Sequence, residues 1–126
     1  LFQIERLKKK QNAFGVDTNK DHYTAFLFKK LIYEHMDTTL MLDDYCSKLN
    51  INVKKLTQIS KEYFFKTPSS FIKQLKILEA KRYLANKKIT IKEVAYSIGF
   101  DQPTYFTKYF KKETGFTPKQ FQKSLP

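Results

Sequence analysis

The chain has 126 residues, with 24 Lys plus Arg against 12 Asp plus Glu and a formal net charge of +12. That length fits one domain or two very small lobes sharing a core, and the charge favours an anionic partner, either nucleic acid or an acidic membrane surface. No run approaches the roughly 18 apolar residues of a membrane span, and the single cysteine, Cys46, rules out an internal disulfide and fits a reducing cytoplasm.

Leu1–Lys10 is a charged amphipathic stretch, not the apolar core and cleavage site of a signal peptide. Phe2, Ile4 and Leu7 precede the basic run Lys8-Lys9-Lys10, which reads as the end of an upstream helix or a linker. The chain opens on Leu, not Met, so the expectation is a fragment cut from a longer protein. "AFGVDTNKD" reads as a loop or hinge, and Asp21 as the cap of a helix over His22–Met36 with Phe26, Leu27, Leu31, Ile32 and Met36 on its apolar face. Leu42, Tyr45, Cys46 and Leu49 recur at helical spacing, and Asn52 then caps Val53–Tyr63, where Leu56, Ile59 and Tyr63 face inward. Thr67 caps and Pro68 opens a longer helix to about Asn86, carrying Ile72, Leu75, Leu78 and Leu84. Thr90 starts a short helix with Ile91, Val94, Ala95 and Ile98 inward, and Gly99-Phe100-Asp101 turns the chain. A further helix runs from about Gln102 to Thr114, Gly115 ends it, and Thr117-Pro118 opens a last short one. Nothing alternates as a strand, so the expected fold class is all-α.

The chain is also self-similar. "TPSSF" at Thr67–Phe71 recurs as "TPKQF" at Thr117–Phe121, and at that offset Leu56 matches Phe106, Ile59 matches Tyr109 and Lys61 matches Lys111. One position of slip in the turn pairs Leu42 with Ile91, Cys46 with Ala95 and Leu49 with Ile98. Each half is a short helix, a tight turn and a second helix, so helix-turn-helix occurring twice is the economical reading. The first unit spans about 42–63, the connecting helix about 68–86 and the second unit about 90–114. A connector of that size is about 28 Å long, close to the roughly 34 Å between successive major-groove segments on one face of B-DNA.

"KLNINVKKLTQISKEYFFKTPSSFIKQLKILEAKRYL" and "ITIKEVAYSIGFDQPTYFTKYFKKETGFTPKQF" together resemble the DNA-binding domain of AraC/XylS-type bacterial transcription regulators. The likeness runs from about Phe26 to Gln122. Ile91, Ala95, Gly99-Phe100, Tyr105-Phe106, Phe110-Lys111-Lys112, Gly115 and Thr117-Pro118 stand where that signature wants them. The resemblance implies a homeodomain-like arrangement of about seven helices over 22–126, with two helix-turn-helix subdomains that each place one helix in the major groove. It implies double-stranded DNA and RNA polymerase as partners, and activation more than repression. It also implies a sensor or dimerisation domain upstream, with 1–21 as its end or a linker, and a cytoplasmic, nucleoid-associated location. The first copy departs from the second at Phe65, opposite Gly115, and at Ser60, opposite Phe110, so its last turn is expected to close differently. The connector carries Lys76 where such proteins usually carry Arg.

Outward positions near the start of each second helix are the base-reading candidates. In the second unit these are Pro103, Thr104, Thr107 and Lys108, with Tyr105 and Lys111 placed for phosphate. In the first they are Lys54, Thr57 and Gln58, with Lys55 and Lys61 for phosphate. Gln58 is the best candidate for an adenine, because its amide can pair with N6 and N7 together. Tyr105, Phe106, Tyr109 and Phe110 read as core more than as a base-stacking platform, and Cys46 as a small buried residue. His22 and His35 stand too far apart, with too few acidic or thiol companions, to argue for metal, and no cofactor is called for. No glycine-rich phosphate loop, metal cluster or Ser-His pairing supports an enzyme. The competing reading is an interaction module that binds a protein or an anionic membrane with no preference among DNA sequences.

Overall fold

The structure is a computed structural model that describes residues 18–126. The basic run Lys8-Lys9-Lys10 and the upstream linker expected over 1–21 lie, up to residue 17, outside the described residues. Among the described residues there are seven helices and no strand: α1 (Thr18–Glu34), α2 (Leu42–Leu49), α3 (Val53–Phe64), α4 (Pro68–Leu84), α5 (Ile91–Ser97), α6 (Pro103–Thr114) and α7 (Pro118–Ser124).

Local chemistry sets most of these boundaries. Asn52 Oδ1 accepts from the Lys55 amide at 2.7 Å to start α3, and the hydroxyls of Thr67, Thr90 and Thr117 accept from the amides of Ser70, Glu93 and Gln120. Pro68, Pro103 and Pro118 take first-turn positions, where a missing N–H costs nothing. At the start of α2 no cap side chain is available, and the Asp44 carboxylate accepts from the Met41 amide at 2.8 Å instead.

Two boundaries differ from the sequence expectation. The first helix begins at Thr18, so Asp21 lies in its first turn and is not its cap. The connector stops at Leu84, where Ala85, Asn86 and Ile89 close successive turns, so it is about 25 Å long and not 28 Å.

The core is continuous through the connector. Phe28, Ile32 and Met36 of α1 and its last turn, Tyr45 and Cys46 of α2 and Leu56 of α3 join Phe71, Leu75, Ile77, Ala80 and Leu84 of α4. Val94, Ala95, Ile98, Phe106 and Phe110 continue the same cluster on the other side. Every extensive helix–helix contact lies within α1–α3, within α5–α7, or between one of these units and α4. Because α4 is packed from two directions, its buried set is Phe71, Leu75, Ile77, Ala80 and Leu84, while the expected Leu78 is exposed. On α1 the inward side is Ala25, Phe28 and Ile32, and Phe26 points outward, where its ring stacks on Tyr23. The carboxy-terminal helix is tied to the loop after the connector: Gln122 Nε2 donates to the carbonyls of Asn86 and Ile89 at 3.0 and 3.2 Å, and Lys87 Nζ donates to the Gln122 and Leu125 carbonyls.

Candidate nucleic-acid interface

The two helix-turn-helix units are built on one backbone plan. In the first, Asn50 takes a left-handed conformation (φ 55°) and the Ile51 amide donates back to the Cys46 carbonyl at 3.1 Å. In the second, Gly99 takes the left-handed position (φ 89°) and the Phe100 amide donates to the Ala95 carbonyl at 2.9 Å. These are matched helix-terminating turns, and they superpose Cys46 on Ala95 as the repeat predicts. Cys46 is buried, and burial followed by the nearby Asp43 carboxylate pushes its thiol pKa up. It is a packing residue, not a reactive thiolate.

The far ends of α3 and α6 close differently, as the Ser60 and Phe65 departures predict. Both helices end in a left-handed residue, Phe65 (φ 62°) and Gly115 (φ 85°), whose amides donate to Lys61 and Lys111 respectively. Buried Ser60 then donates its hydroxyl to the Lys66 carbonyl at 2.6 Å, whereas in α6 Thr114 donates to the Phe110 carbonyl at 2.8 Å. The aromatic contact to the repeated Phe moves by one helical turn. Phe110 meets Phe121 edge-on at 5.6 Å, but in the first unit Phe64 takes that part, stacking on Phe71 at 3.9 Å.

Leu56 and Ile59 of α3, and Phe106 and Phe110 of α6, are fully buried and fix which faces point outward. Lys54, Gln58 and Lys61 are exposed, at i, i+4 and i+7 along one face of α3. Thr104, Lys108 and Lys111 are exposed at the same three steps along α6. The two faces correspond position by position at the repeat offset: Lys54 to Thr104, Gln58 to Lys108, and Lys61 to Lys111. Thr57, Thr107 and Pro103 sit beside these rows and are half-buried, and Tyr105 is 64% exposed at the start of α6.

Lys55 differs from the other expected phosphate candidates. Its ammonium lies 3.2 Å from the carboxylate of Asp21, which is buried on α1, so the charge is already engaged within the protein. Tyr109, expected to be core, packs on Phe100 at 5.3 Å. Its hydroxyl is buried without a hydrogen-bond partner among the described residues, and burial, with Glu113 adding to it, drives its pKa up.

Sequence reasoning singled out Lys76 only as a substitution for Arg, yet it proves a structural centre. Its ammonium donates to the carbonyls of Met36 (3.0 Å), Thr38 (3.3 Å) and Ile98 (2.7 Å). Burial lowers its pKa, opposed by the charge of Asp37. The signal was present in the spacing, since Ile72, Lys76 and Ala80 form one inward i, i+4, i+8 row on α4 with a cation in its middle. No helix among the described residues is long and apolar enough to cross a membrane.

A family model described as a helix-turn-helix domain matches residues 45–124. The HTH-type transcriptional activator RhaR of Cronobacter sakazakii (strain ATCC BAA-894) is 31% identical over 96 residues, which cover 76% of this chain and 34% of RhaR. The chain thus spans about a third of that curated relative. Among solved structures, the C-terminal domain of the two-component response regulator yesN from Fusobacterium nucleatum is 27% identical with a TM-score of 0.70, covering 76% of this chain and 94% of that one. The DNA-binding domain of AdpA, solved in complex with a target DNA, shares the fold at a TM-score of 0.73 and 16% identity, over 79% of this chain and 90% of that one.

Proposed function

The chain belongs to the AraC-type family of helix-turn-helix DNA-binding transcriptional regulators, and we propose that α3 and α6 are its two recognition helices, entering successive major-groove segments on one side of a duplex. The observation that carries this is the correspondence of the two exposed rows, Lys54–Gln58–Lys61 and Thr104–Lys108–Lys111, on helices whose buried faces are equivalent.

Each part of a row has its own task. Lys108 donates to guanine O6 or N7, Gln58 pairs with an adenine edge, and Lys54, Pro103, Thr104, Thr57 and Thr107 complete the base-facing surface. Lys61, Lys111 and Tyr105 contact phosphate, which positions the helices and supplies most of the affinity. With a connector of about 25 Å against a groove repeat of about 34 Å, either the connector runs obliquely to the duplex or the duplex bends, at a cost of order 1–6 kcal/mol. The helix-turn-helix match and the regulator-named relatives support a DNA-binding task for this domain, not a catalytic one. RhaR is described as a transcriptional activator, which favours activation here, with RNA polymerase as a partner. A sensor or dimerisation domain would belong to the longer protein, acting in the cytoplasm on nucleoid DNA.

The test is selection of bound sequences from a random duplex pool at about 150 mM salt. Two enriched blocks about one helical turn apart are expected. One block alone would leave only one helix as a reader, and no enrichment would favour a module attracted by charge alone.

A further inference from the structure

With no extensive helix–helix contact running directly between α1–α3 and α5–α7, the angle between the two units depends on how each seats on α4 and on what else crosses between them. The polar crossing is concentrated at one point. Lys76, midway along α4, donates to Met36 and Thr38 in the turn that ends α1, and to Ile98 at the end of α5. Two helix carboxy-termini therefore converge on one ammonium, which supplies donors to carbonyls left unpaired by their own helices and neutralises the negative ends of both dipoles. Thr39 crosses at the same place, donating its hydroxyl to the Gly99 carbonyl at 3.4 Å. The fit is close: a Cβ on Gly99 would lie 2.7 Å from the Thr38 carbonyl oxygen, 3.2 Å from that of Met36 and 3.0 Å from Lys76 Nζ, and the left-handed φ independently favours glycine.

We propose that Lys76 is a positioning residue that fixes the angle between the two DNA-binding units, and through it the operator spacing the protein accepts. This inference rests on the reading of α3 and α6 as two recognition helices. Lys76 touches no DNA. It holds the Gly99 turn, the elbow from which α6 departs, against the end of α1, which packs on α3. A half-buried cation with three carbonyl partners suits this task, because one ammonium ties the end of α1 to the end of α5. Losing it leaves three carbonyls, from two helix ends, without their shared donor. The apolar core that runs through α4 is left in place by a change at Lys76, so the polar joint is what the substitution loosens.

The experiment compares wild type with Lys76→Met and Lys76→Arg. Each is selected on duplexes carrying the two enriched blocks at every separation within a few base pairs of the optimum. Lys76→Met keeps the length and removes the donors, and Lys76→Arg keeps a cation with several donors. Wild type is expected to accept one separation. Lys76→Met should still enrich both blocks, with preference for the best separation over one shifted by about two base pairs falling about tenfold, the scale of one charge-assisted hydrogen bond. Lys76→Arg should restore most of it. Without DNA, amide residual dipolar couplings should fit one alignment tensor across both units in wild type and require two in Lys76→Met. If Lys76→Met is not recovered folded, Gly99→Ala strains the same joint from the opposite side and should broaden the separation in the same way. A folded Lys76→Met that keeps one tensor and one separation, with affinity lowered alike on all, would overturn this inference alone. A wild type that enriches only one block would overturn the two-helix reading as well.

Discussion

The Lys55 ammonium lies 3.2 Å from both carboxylate oxygens of Asp21, joining a helix that faces outward to the buried first turn of α1. Asp21 is almost wholly buried there while the Lys55 side chain is 40% exposed, so the carboxylate depends on the lysine more than the lysine depends on it. Lys55→Gln is therefore expected to lower stability by about 1–3 kcal/mol in denaturant titration, the cost of leaving a buried charged acceptor without its partner. The slope of log affinity against log salt should stay unchanged. A fall in that slope of about 0.9 would instead place the ammonium on a phosphate.

Lys108 and Gln58 occupy matching, exposed positions on α6 and α3, so each is accessible to a base edge. Lys108→Ala should cost about 1–3 kcal/mol and relax preference at one base pair of one block. Gln58→Ala should do the same in the other block. Competition binding against every single-base variant of the selected site measures both. Uniform loss on every variant would reassign the residue to the phosphate backbone.

The features legible in the sequence were those set within a few residues. Thr67, Thr90, Thr117 and Asn52 were readable as caps because each acts on an amide three positions ahead. The repeat gave the correspondence of the two turns for the same reason. Tertiary partners were not legible. Asp21 looked like a cap because Asp before an apolar run usually is one, and its engagement with Lys55 crosses 34 positions of chain. Leu78 and Ile77 exchanged places because a helix packed from two sides has no single apolar stripe, so period alone cannot choose between neighbours. Lys76 was visible as a cation on an inward row, but its three carbonyl partners lie 22 to 40 positions away.

Phe65 ends α3 in a left-handed conformation, the position held in α6 by Gly115, and its side chain is 86% exposed. A branchless glycine adopts that backbone freely, whereas a residue with a Cβ is strained there by about 1 kcal/mol. Phe65→Gly should raise stability by no more than about 0.6 kcal/mol, the strain relieved less the added freedom of the unfolded chain. Thermal unfolding at several protein concentrations measures this. A lowered melting temperature would show that the ring contributes packing that outweighs the strain.

Glu93 and Thr90 form a reciprocal box at the start of α5. The Thr90 amide and hydroxyl both donate to Glu93 Oε1, at 3.1 and 2.9 Å, and the Glu93 amide donates to the Thr90 hydroxyl oxygen at 3.1 Å. The backbone hydrogen bond from Thr90, then its hydroxyl, hold the Glu93 carboxyl below its ordinary pKa. A carboxylate depressed in the folded state contributes stability that is complete above its unfolded pKa and is lost as pH falls through the folded one. Acidification should thus release the cap at the start of α5 only below the usual carboxylate range. In an NMR titration the Thr90 amide resonance should move with a midpoint below that range. Glu93→Gln should abolish the movement while keeping the cap through its amide oxygen. A midpoint at the ordinary glutamate value would mean that the box does not form in solution.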